Sequence, residues 1–207
     1  MEIQAEENDL VLASFGRGFY ILDNYSPLRE ISAETSKENK IFPIKKGLMY
    51  QQAAPLAGGG RAFQGANFYI APNPAYGVTF TYHLKDSLKS AKSMRASKAS
   101  KAAKSGKDTP YPSWETFKAD DREQSPKVWL TIRDTDGEVV RRITASTGKG
   151  MHRAQWDFRH AGPRGRGPLA VPGTYTVEVN QMAMGKPSEG ADDELSLIHI
   201  SEPTRPY

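Results

Sequence analysis

Apolar and polar residues alternate in short runs along the chain, and this pattern predicts a structure built mainly of β-strands. Every second residue of 78–84 is apolar, which is the period of a strand with one buried face. Residues 128–132 alternate in the same way, and the Asp-Thr-Asp-Gly sequence at 134–137 predicts a tight turn into a second strand at 138–143. Residues 152–158 repeat the pattern.

A further strand is predicted at 174–180, after the turn formed by Pro172 and Gly173. Several short strands separated by Gly, Pro and Asp turns are typical of an antiparallel β-sandwich of the immunoglobulin or fibronectin-III type. The large aromatic residues of these strands are assigned to its core. They are Phe80, Trp129, Trp156 and Tyr175, and His152 is expected beside Trp156.

The N-terminal part of the chain contains a predicted hairpin that differs from the other strands. Its two apolar runs, 10–14 and 19–22, are joined by Phe15-Gly16-Arg17-Gly18, whose glycines suit a tight turn with positive φ. Apolar residues occupy both faces of each run, so each strand needs cover on two sides, which one hairpin cannot give. We therefore predict that the chain starts inside a larger β-structure.

The composition changes abruptly at 85–107, where eight basic residues, one acid and many Ser and Ala residues occur. A basic residue at about every third position spreads around an α-helix of 3.6 residues per turn. We therefore predict a solvated helix or a disordered segment, inserted at 85–126 between sandwich strands. Ser113 is expected to cap a short helix to Asp121, with Trp114 and Phe117 packed onto the sandwich.

The run LASFGRGFYILDNYSPLRE at 12–30 resembles the end of the last blade in bacterial sortilin-like (VPS10-type) and BNR-repeat β-propeller proteins, where this blade leads into a C-terminal β-sandwich. Several later segments resemble the same family: NPAYG at 73–77, YPSW at 111–114, the hairpin at 128–143, HRAQWDFRH at 152–160 and PGTYTVEV at 172–179. The resemblance covers most of 9–180, and the order of the motifs supports it more than any single motif.

The resemblance implies how the chain is divided. Residues 1–28 would end the last blade, 29–66 would be a linker with an edge strand, and 67–182 would form the sandwich. A polar segment would follow at 183–194. Arg17 would be a candidate propeller-channel residue, because a Gly-Arg-Gly turn presents its side chain without obstruction.

The resemblance also implies a function and a location. The expected function is that of a non-catalytic interaction or structural module of a secreted or periplasmic propeller protein. Its partners would be the propeller of the same protein and a peptide, protein or glycan. The alternative is the accessory domain of a BNR-repeat glycoside hydrolase or sialidase-like enzyme whose active site lies in the propeller.

Composition adds few constraints to this prediction. The 207 residues contain no cysteine, which excludes disulfides, zinc–thiolate sites and a thiol nucleophile within them. The formal net charge of +4 is too small to indicate an anionic partner by itself. No apolar run approaches the roughly 18 residues of a membrane span, and residues 1–8 lack the features of a signal peptide.

No group of residues predicts catalysis within this chain. Hydrolysis of a glycoside needs two carboxyl groups about 5 to 9 Å apart. Asp120, Asp121 and Glu123 lie in a charged segment typical of a solvated surface, whereas Asp134 and Asp136 belong to an Asp-Gly turn. We therefore assign no catalytic residue.

Metal and cofactor sites are not predicted either. The acids at 134, 136 and 138 lack the loop of a calcium site, and the histidines at 83, 152 and 160 lack ligand spacing. The basic segments 85–107 and 159–167 offer charge for nucleic acid, an anionic glycan or a membrane surface. Interleaved aromatic residues for base stacking are absent, which disfavours nucleic acid, and a solvated surface is the preferred interpretation.

The C-terminal residues are treated separately. LSLIHISEPTR at 195–205 resembles the translation of a sequencing adaptor, so 195–207 are excluded from functional reasoning. One closing strand of the sandwich would then be missing, and the exposed edge would favour self-association. The alternative is a genuine strand at 195–200.

Overall fold

The computed structural model describes residues 2–16, 18–50, 76–183, 186–187 and 196–201. Strands make up 38% of these residues, so the predicted mainly-β class is confirmed. The strands are β1 Glu2–Gln4, β2 Asp9–Ala13, β3 Phe19–Leu22, β4 Lys40–Ile41, β5 Gly47–Leu48, β6 Val78–Leu84, β7 Lys127–Arg133, β8 Val139–Ala145, β9 Gly150–Trp156, β10 Gly173–Ala183, β11 Lys186–Pro187 and β12 Ser196–Ser201. The α-helices are α1 Ser26–Arg29, α2 Ala91–Lys104 and α3 Trp114–Arg122.

The strands form three sheets. The N-terminal sheet has the order β1-β2-β3, and the small sheet has the order β4-β6-β9. The large sheet has the order β5-β12-β10-β7-β8, with β11 beside β10. All pairs are antiparallel except β12 with β5, as expected for neighbours joined by short turns.

The small and large sheets contribute to one hydrophobic core. Phe80 of β6 and Trp156 of β9 are completely buried, as is Leu130 of β7. Tyr175 of β10 packs against Trp156, with their ring centroids 5.3 Å apart. The core assignments of Phe80, Trp156 and Tyr175 are therefore confirmed, because the alternating pattern placed their side chains on the inward faces of their strands.

The predicted hairpin at 128–143 is present as β7 and β8. Oδ1 of Asp134 accepts hydrogen bonds from the backbone N–H groups of Asp136 (3.0 Å) and Glu138 (2.9 Å). Gly137 has a φ of +82°, which a residue without a side chain adopts easily. These acids therefore act as turn residues.

A close backbone approach and a ring contact fix the end of β9 against the start of β6. Gly77 has a φ of +125°, and a Cβ atom there would lie 1.9 Å from the carbonyl oxygen of Trp156. Phe158, just beyond β9, has a φ of +59° and is completely buried against Tyr76, with ring centroids 5.4 Å apart. Only glycine fits at position 77.

Strand β6 is more deeply buried than its alternating pattern predicts. Thr81 and His83, on its polar face, are 6% and 9% exposed. The segment before β4 lies against part of this face: Nδ1 of His83 lies 2.9 Å from the carbonyl oxygen of Glu38. Strand β4 then pairs with the edge of β6, where the N–H of Phe42 donates to the carbonyl oxygen of Thr81 (2.9 Å). The prediction of a half-buried strand was wrong because a linker lies over the sheet.

Three aromatic assignments also need correction. Trp129 is only half-buried, because it points to the opposite face of β7 from Leu130. Trp114 is 72% exposed instead of packing on the sheets. His152 packs against Tyr82, which faces it across β6 and β9, with ring centroids 5.5 Å apart. The direct cross-strand neighbour is closer than the residue four positions along the same strand.

The basic segment contains a regular helix. Helix α2 spans 14 residues, none of which is buried. Ser113 caps α3 as predicted, since its hydroxyl accepts the N–H of Thr116 at 3.3 Å. Of the two structures predicted for the basic segment, the solvated helix is the one observed.

Within the C-terminal segment that resembles a sequencing adaptor, residues 196–201 form β12. Its residues pair with β10 from Gly173 to Val177, and Ile198 is completely buried in the core. The predicted open edge of β10 is therefore covered. An edge strand accepts a neighbour with the right alternation of apolar residues, and Ile198 and Ile200 supply that alternation.

Three other predictions lie outside the described residues: Arg17, the linker part at 51–66 and most of the polar segment 183–194.

Candidate interaction surface

Among the described residues, the N-terminal sheet and its turn bring together several exposed large apolar side chains. The predicted hairpin at 9–24 is confirmed, with Leu10 opposite Leu22 and Val11 opposite Ile21. Strand β1 adds a third strand, which the sequence did not predict because only Ile3 is apolar in it. The sheet is thus larger than the predicted hairpin.

The turn of this hairpin is stabilised by a serine. The N–H of Ser14 donates to the carbonyl oxygen of Gly18 (2.9 Å), and Oγ of Ser14 accepts the N–H of Gly18 (3.2 Å). Gly16 does not adopt the positive φ that the sequence suggested. The residues with positive φ are Asn8 and Asn24, at the base of the hairpin, where asparagine tolerates this conformation.

Both faces of the N-terminal sheet carry exposed apolar side chains. The strand register places Ile3, Leu10, Leu12, Tyr20 and Leu22 on one face, which we call the tyrosine face. It places Val11, Ala13, Phe19 and Ile21 on the other, the phenylalanine face, together with polar residues of β1. Tyr20 is 64% exposed, Phe19 74% and Ile21 62%. Large apolar groups exposed side by side are typical of interaction surfaces.

Polar contacts at its base connect the N-terminal sheet to the small sheet. The guanidinium group of Arg153, on β9, donates to the carbonyl oxygens of Asp23 (2.9 Å) and Asn24 (3.1 Å). Next to these bonds lies a cavity of about 320 Å³, lined in part by Asp23, Thr81 and Arg153. Tyr25 is buried just after the hairpin, and its N–H donates to the carbonyl oxygen of Asn8 (2.8 Å). These hydrogen bonds hold the base of the N-terminal sheet against the rest of the fold.

The acidic candidates in the helical insertion serve structural roles. The carboxylate of Asp120 is 4% exposed and forms an ion pair with Arg95 of α2, so its predicted solvation was wrong. The carboxylate of Glu123 accepts the N–H groups of Ala91 (2.7 Å) and Lys92 (3.5 Å) at the start of α2. An acid at a helix N-terminus stabilises it through the helix dipole and the free N–H groups.

The structure does not bring the three histidine side chains together: His83 and His152 lie on the paired strands β6 and β9 but on opposite faces of the sheet. His83 contacts Glu38, and Nε2 of His152 lies 2.7 Å from the carbonyl oxygen of Gly148. His160 lies in the loop after β9, half-buried. Within the described ranges, no three His, Cys, Asp or Glu side chains are placed to share a metal ion.

Hydrogen bonds from arginine side chains to backbone carbonyl groups stabilise the loop at 159–167. Nη1 of Arg141 donates to the carbonyl oxygens of Arg159 and His160, both at 3.3 Å, and lies 3.3 Å from Oδ1 of Asp157. Arg159 donates to the carbonyl oxygen of Gly167 (3.1 Å). These arginines are used to hold the loop, whereas Arg164 is exposed.

Burial shifts the titration of three tyrosines. It raises the pKa of Tyr76, Tyr82 and Tyr175 above the usual value of 10.0, since an apolar environment disfavours the phenolate. The hydroxyls of Tyr82 and Tyr175 donate to the carbonyl oxygens of Ser146 (3.1 Å) and Val171 (2.5 Å). The three are structural groups of the core and its margin.

No family model, curated protein or solved structure shows significant similarity to the chain. Among the helices of the described residues, none is long and apolar enough to cross a membrane.

Proposed function

We propose that this chain is a non-catalytic interaction and structural module of a secreted β-propeller protein of the sortilin-like, BNR-repeat type. In this proposal, residues 1–28 complete the last blade and residues 67–182 form a sandwich of the immunoglobulin or fibronectin-III type beside it. The observation that carries the proposal is the exposure of apolar side chains on both faces of the N-terminal sheet.

A propeller blade has the surroundings that such a sheet needs. Each blade is a small antiparallel sheet, typically of four strands, arranged radially with other blades around a central channel. The N-terminal sheet has three antiparallel strands, one fewer than a typical blade. A blade neighbour would cover the tyrosine face or the phenylalanine face, and a further strand would pair with an open edge.

The contacts of Arg153 support a fixed position for the sandwich relative to the blade. Its two hydrogen bonds reach the backbone of Asp23 and Asn24, directly after β3. Backbone carbonyl groups keep these bonds whatever side chains the blade carries. The sandwich would therefore cap the propeller at the exit of its last blade.

The roles of the acidic residues support a module without chemistry of its own. Asp134 stabilises a hairpin turn, Asp120 pairs with Arg95, and Glu123 caps α2. Recognition of a peptide, protein or glycan would then depend on the propeller, with this module as its support.

Long-read sequencing of the source DNA across the 5′ end of this gene tests the proposal. We expect an export signal and repeated blade sequences upstream, in frame with residue 1. A coding sequence that starts at Met1 would contradict the proposal. Blades with paired inward acids and an arginine cluster at the channel mouth would instead favour the accessory domain of a glycoside hydrolase.

A further inference from the structure

Helix α2 contributes no buried residue to the core of the fold. None of its 14 residues is buried, and its apolar residues are alanines and Met94. A surface helix ordinarily buries an apolar stripe against the core, and an isolated helix of this length is marginally stable in water. Its presence on this protein therefore needs another explanation.

Specific contacts at both ends hold the helix in place. At the start, Oγ of Ser90 accepts the N–H of Ser93 (3.1 Å), and Glu123 accepts two further N–H groups. At the end, Gly106 adopts a φ of +69°, and the N–H of Lys107 donates to the carbonyl oxygen of Ala102 (2.9 Å). This is the pattern of a Schellman cap. The sequence specifies a helix of defined length that presents itself to solvent.

Most of the charged residues in the segment 85–107, which contains this helix, are lysines. Lysines occur at positions 85, 89, 92, 98, 101, 104 and 107, and all seven are exposed. In the part of the chain that the structure describes, none of these seven forms an ion pair, whereas Arg95 pairs with Asp120. The segment therefore carries a concentration of uncompensated positive charge.

Stabilisation of the helix does not explain this charge. Lys101 and Lys104 lie in the last turn, where a positive charge favours the helix dipole. Lys89 and Lys92 lie at the opposite end, where a positive charge opposes the dipole. Lysines thus occur at both ends of the helix, although they favour the helix dipole at only one of them. We infer that the positive charge itself is the property that the segment supplies.

The residue types indicate the kind of partner. Lysine supplies a compact charge without the planar two-pronged geometry of arginine, so it responds to charge density more than to shape. The residues between the lysines are mainly Ser and Ala, whose short side chains let a polymer approach the helix. The helix has one large apolar side chain, the half-buried Met94, which is too little for insertion into a membrane surface, and it has no aromatic ring for base stacking.

The spacing of the lysines favours a flexible linear polyanion. Lys98, Lys101 and Lys104 follow one another at about 4.5 Å along the helix axis and turn by about 60° at each step. A flexible chain with a charge on each sugar can follow this spiral, whereas a rigid duplex meets only part of it. We propose that the exposed surface of α2 binds an acidic polysaccharide, with sulfate or carboxylate groups paired to these three lysines.

Binding of the full chain to a heparin oligosaccharide, a sulfated probe, and to a galacturonate oligomer, a carboxylate probe, tests this proposal. The triple variant Lys98→Gln, Lys101→Gln, Lys104→Gln is expected to weaken binding at least about tenfold. Wild-type affinity should also fall at least about tenfold when NaCl is raised from about 50 to about 200 mM. Glutamine favours a helix about as well as lysine does, and circular dichroism checks that α2 remains.

A matched control removes three exposed charges elsewhere: Lys46→Gln, Arg164→Gln, Arg166→Gln. This control should bind within about twofold of wild type, and a Lys→Arg triple variant at 98, 101 and 104 should bind like wild type. Equal losses in the control and the helix variant would overturn the proposal, as would unchanged binding by the helix variant. Tighter binding to duplex DNA of matched charge, at the same salt, would assign the surface to nucleic acid instead.

Discussion

The N-terminal sheet and the small sheet both contain large apolar residues but differ in what covers them. In the small sheet, Phe80 and Trp156 face the core shared with the large sheet, and the linker before β4 lies against His83 on the outer face. In the N-terminal sheet, Phe19 and Tyr20 lie mostly in solvent. Two neighbouring parts of one chain thus use similar strands, one to form a core and one to offer a surface.

This comparison distinguishes apolar side chains that stabilise the fold from apolar side chains that remain exposed. Burial of apolar surface contributes about 25 cal/mol per Å² to folding, and a residue in the core gains it within the chain. Phe19 and Ile21 gain little of it here, so their side chains are expected to contribute to association with another β-structure instead of to folding.

The largest expected effect is that of truncating a core aromatic. Trp156→Ala should lower the free energy of unfolding by about 3 to 5 kcal/mol, because it leaves a cavity among Phe158 and Tyr175. Phe19→Ala should change it by no more than about 0.5 kcal/mol. Urea unfolding gives the free energy of unfolding of both variants. Circular dichroism follows both, and tryptophan fluorescence also follows the Phe19 variant. Comparable losses would remove the distinction between the sheets.

A smaller effect is expected at the β7–β8 turn. Asp134→Ala removes the acceptor of two backbone N–H groups and should cost about 1 kcal/mol. Asp134→Asn keeps an oxygen at this position and should cost less, and Asp136→Ala serves as the matched control in the same turn. If Asp136→Ala were the more damaging change, the turn assignment of Asp134 would be incorrect.

A pH effect is expected from the buried tyrosines. Burial raises the folded-state pKa of Tyr82 above the value of about 10 expected in the unfolded chain. Its contribution to stability is therefore complete below about pH 10 and is lost as the pH rises through the raised folded-state pKa. Thermal melts of wild type between about pH 9 and pH 11 should show falling midpoints, with a smaller fall in Tyr82→Phe. The exposed Tyr111→Phe should behave like wild type, and identical curves for all three would contradict this account.

The sequence predicted most of the strands because their alternation is local. Val78–Leu84 and the hairpin around Asp134 were predicted from residues that are close in the chain. The cover over Thr81 and His83 was missed because it comes from the linker, whose position depends on contacts distant in sequence. Trp114 was misplaced for a related reason: the i and i+3 pattern identifies a face of α3 but does not say what that face meets.

The interaction surface was predicted only in part. The apolar character of both faces at 10–22 indicated a need for cover, and in the structure Leu12, Tyr20, Phe19 and Ile21 are exposed on the two faces. Strand β1 and the contact of Arg153 with Asp23 and Asn24 were not predicted, since each depends on pairing across distant segments. For helix α2, the charge was evident from the sequence, whereas the capping by Glu123 and the pairing of Arg95 became evident only in the structure.

Sedimentation velocity over a range of protein concentrations tests the central claim, that the N-terminal sheet is an association surface. Wild type should associate as its concentration rises, because its exposed apolar faces find cover in other copies. Two double variants identify the face used. Phe19→Ser with Ile21→Thr changes the phenylalanine face, and Leu12→Ser with Tyr20→Ser changes the tyrosine face.

At least one of these two pairs should shift the protein to monomer. The control pair Leu169→Ser, Val171→Thr removes exposed apolar groups elsewhere and should associate like wild type. A wild-type protein that stays monomeric at all concentrations, or association that neither pair of substitutions in the N-terminal sheet reduces, would contradict the account.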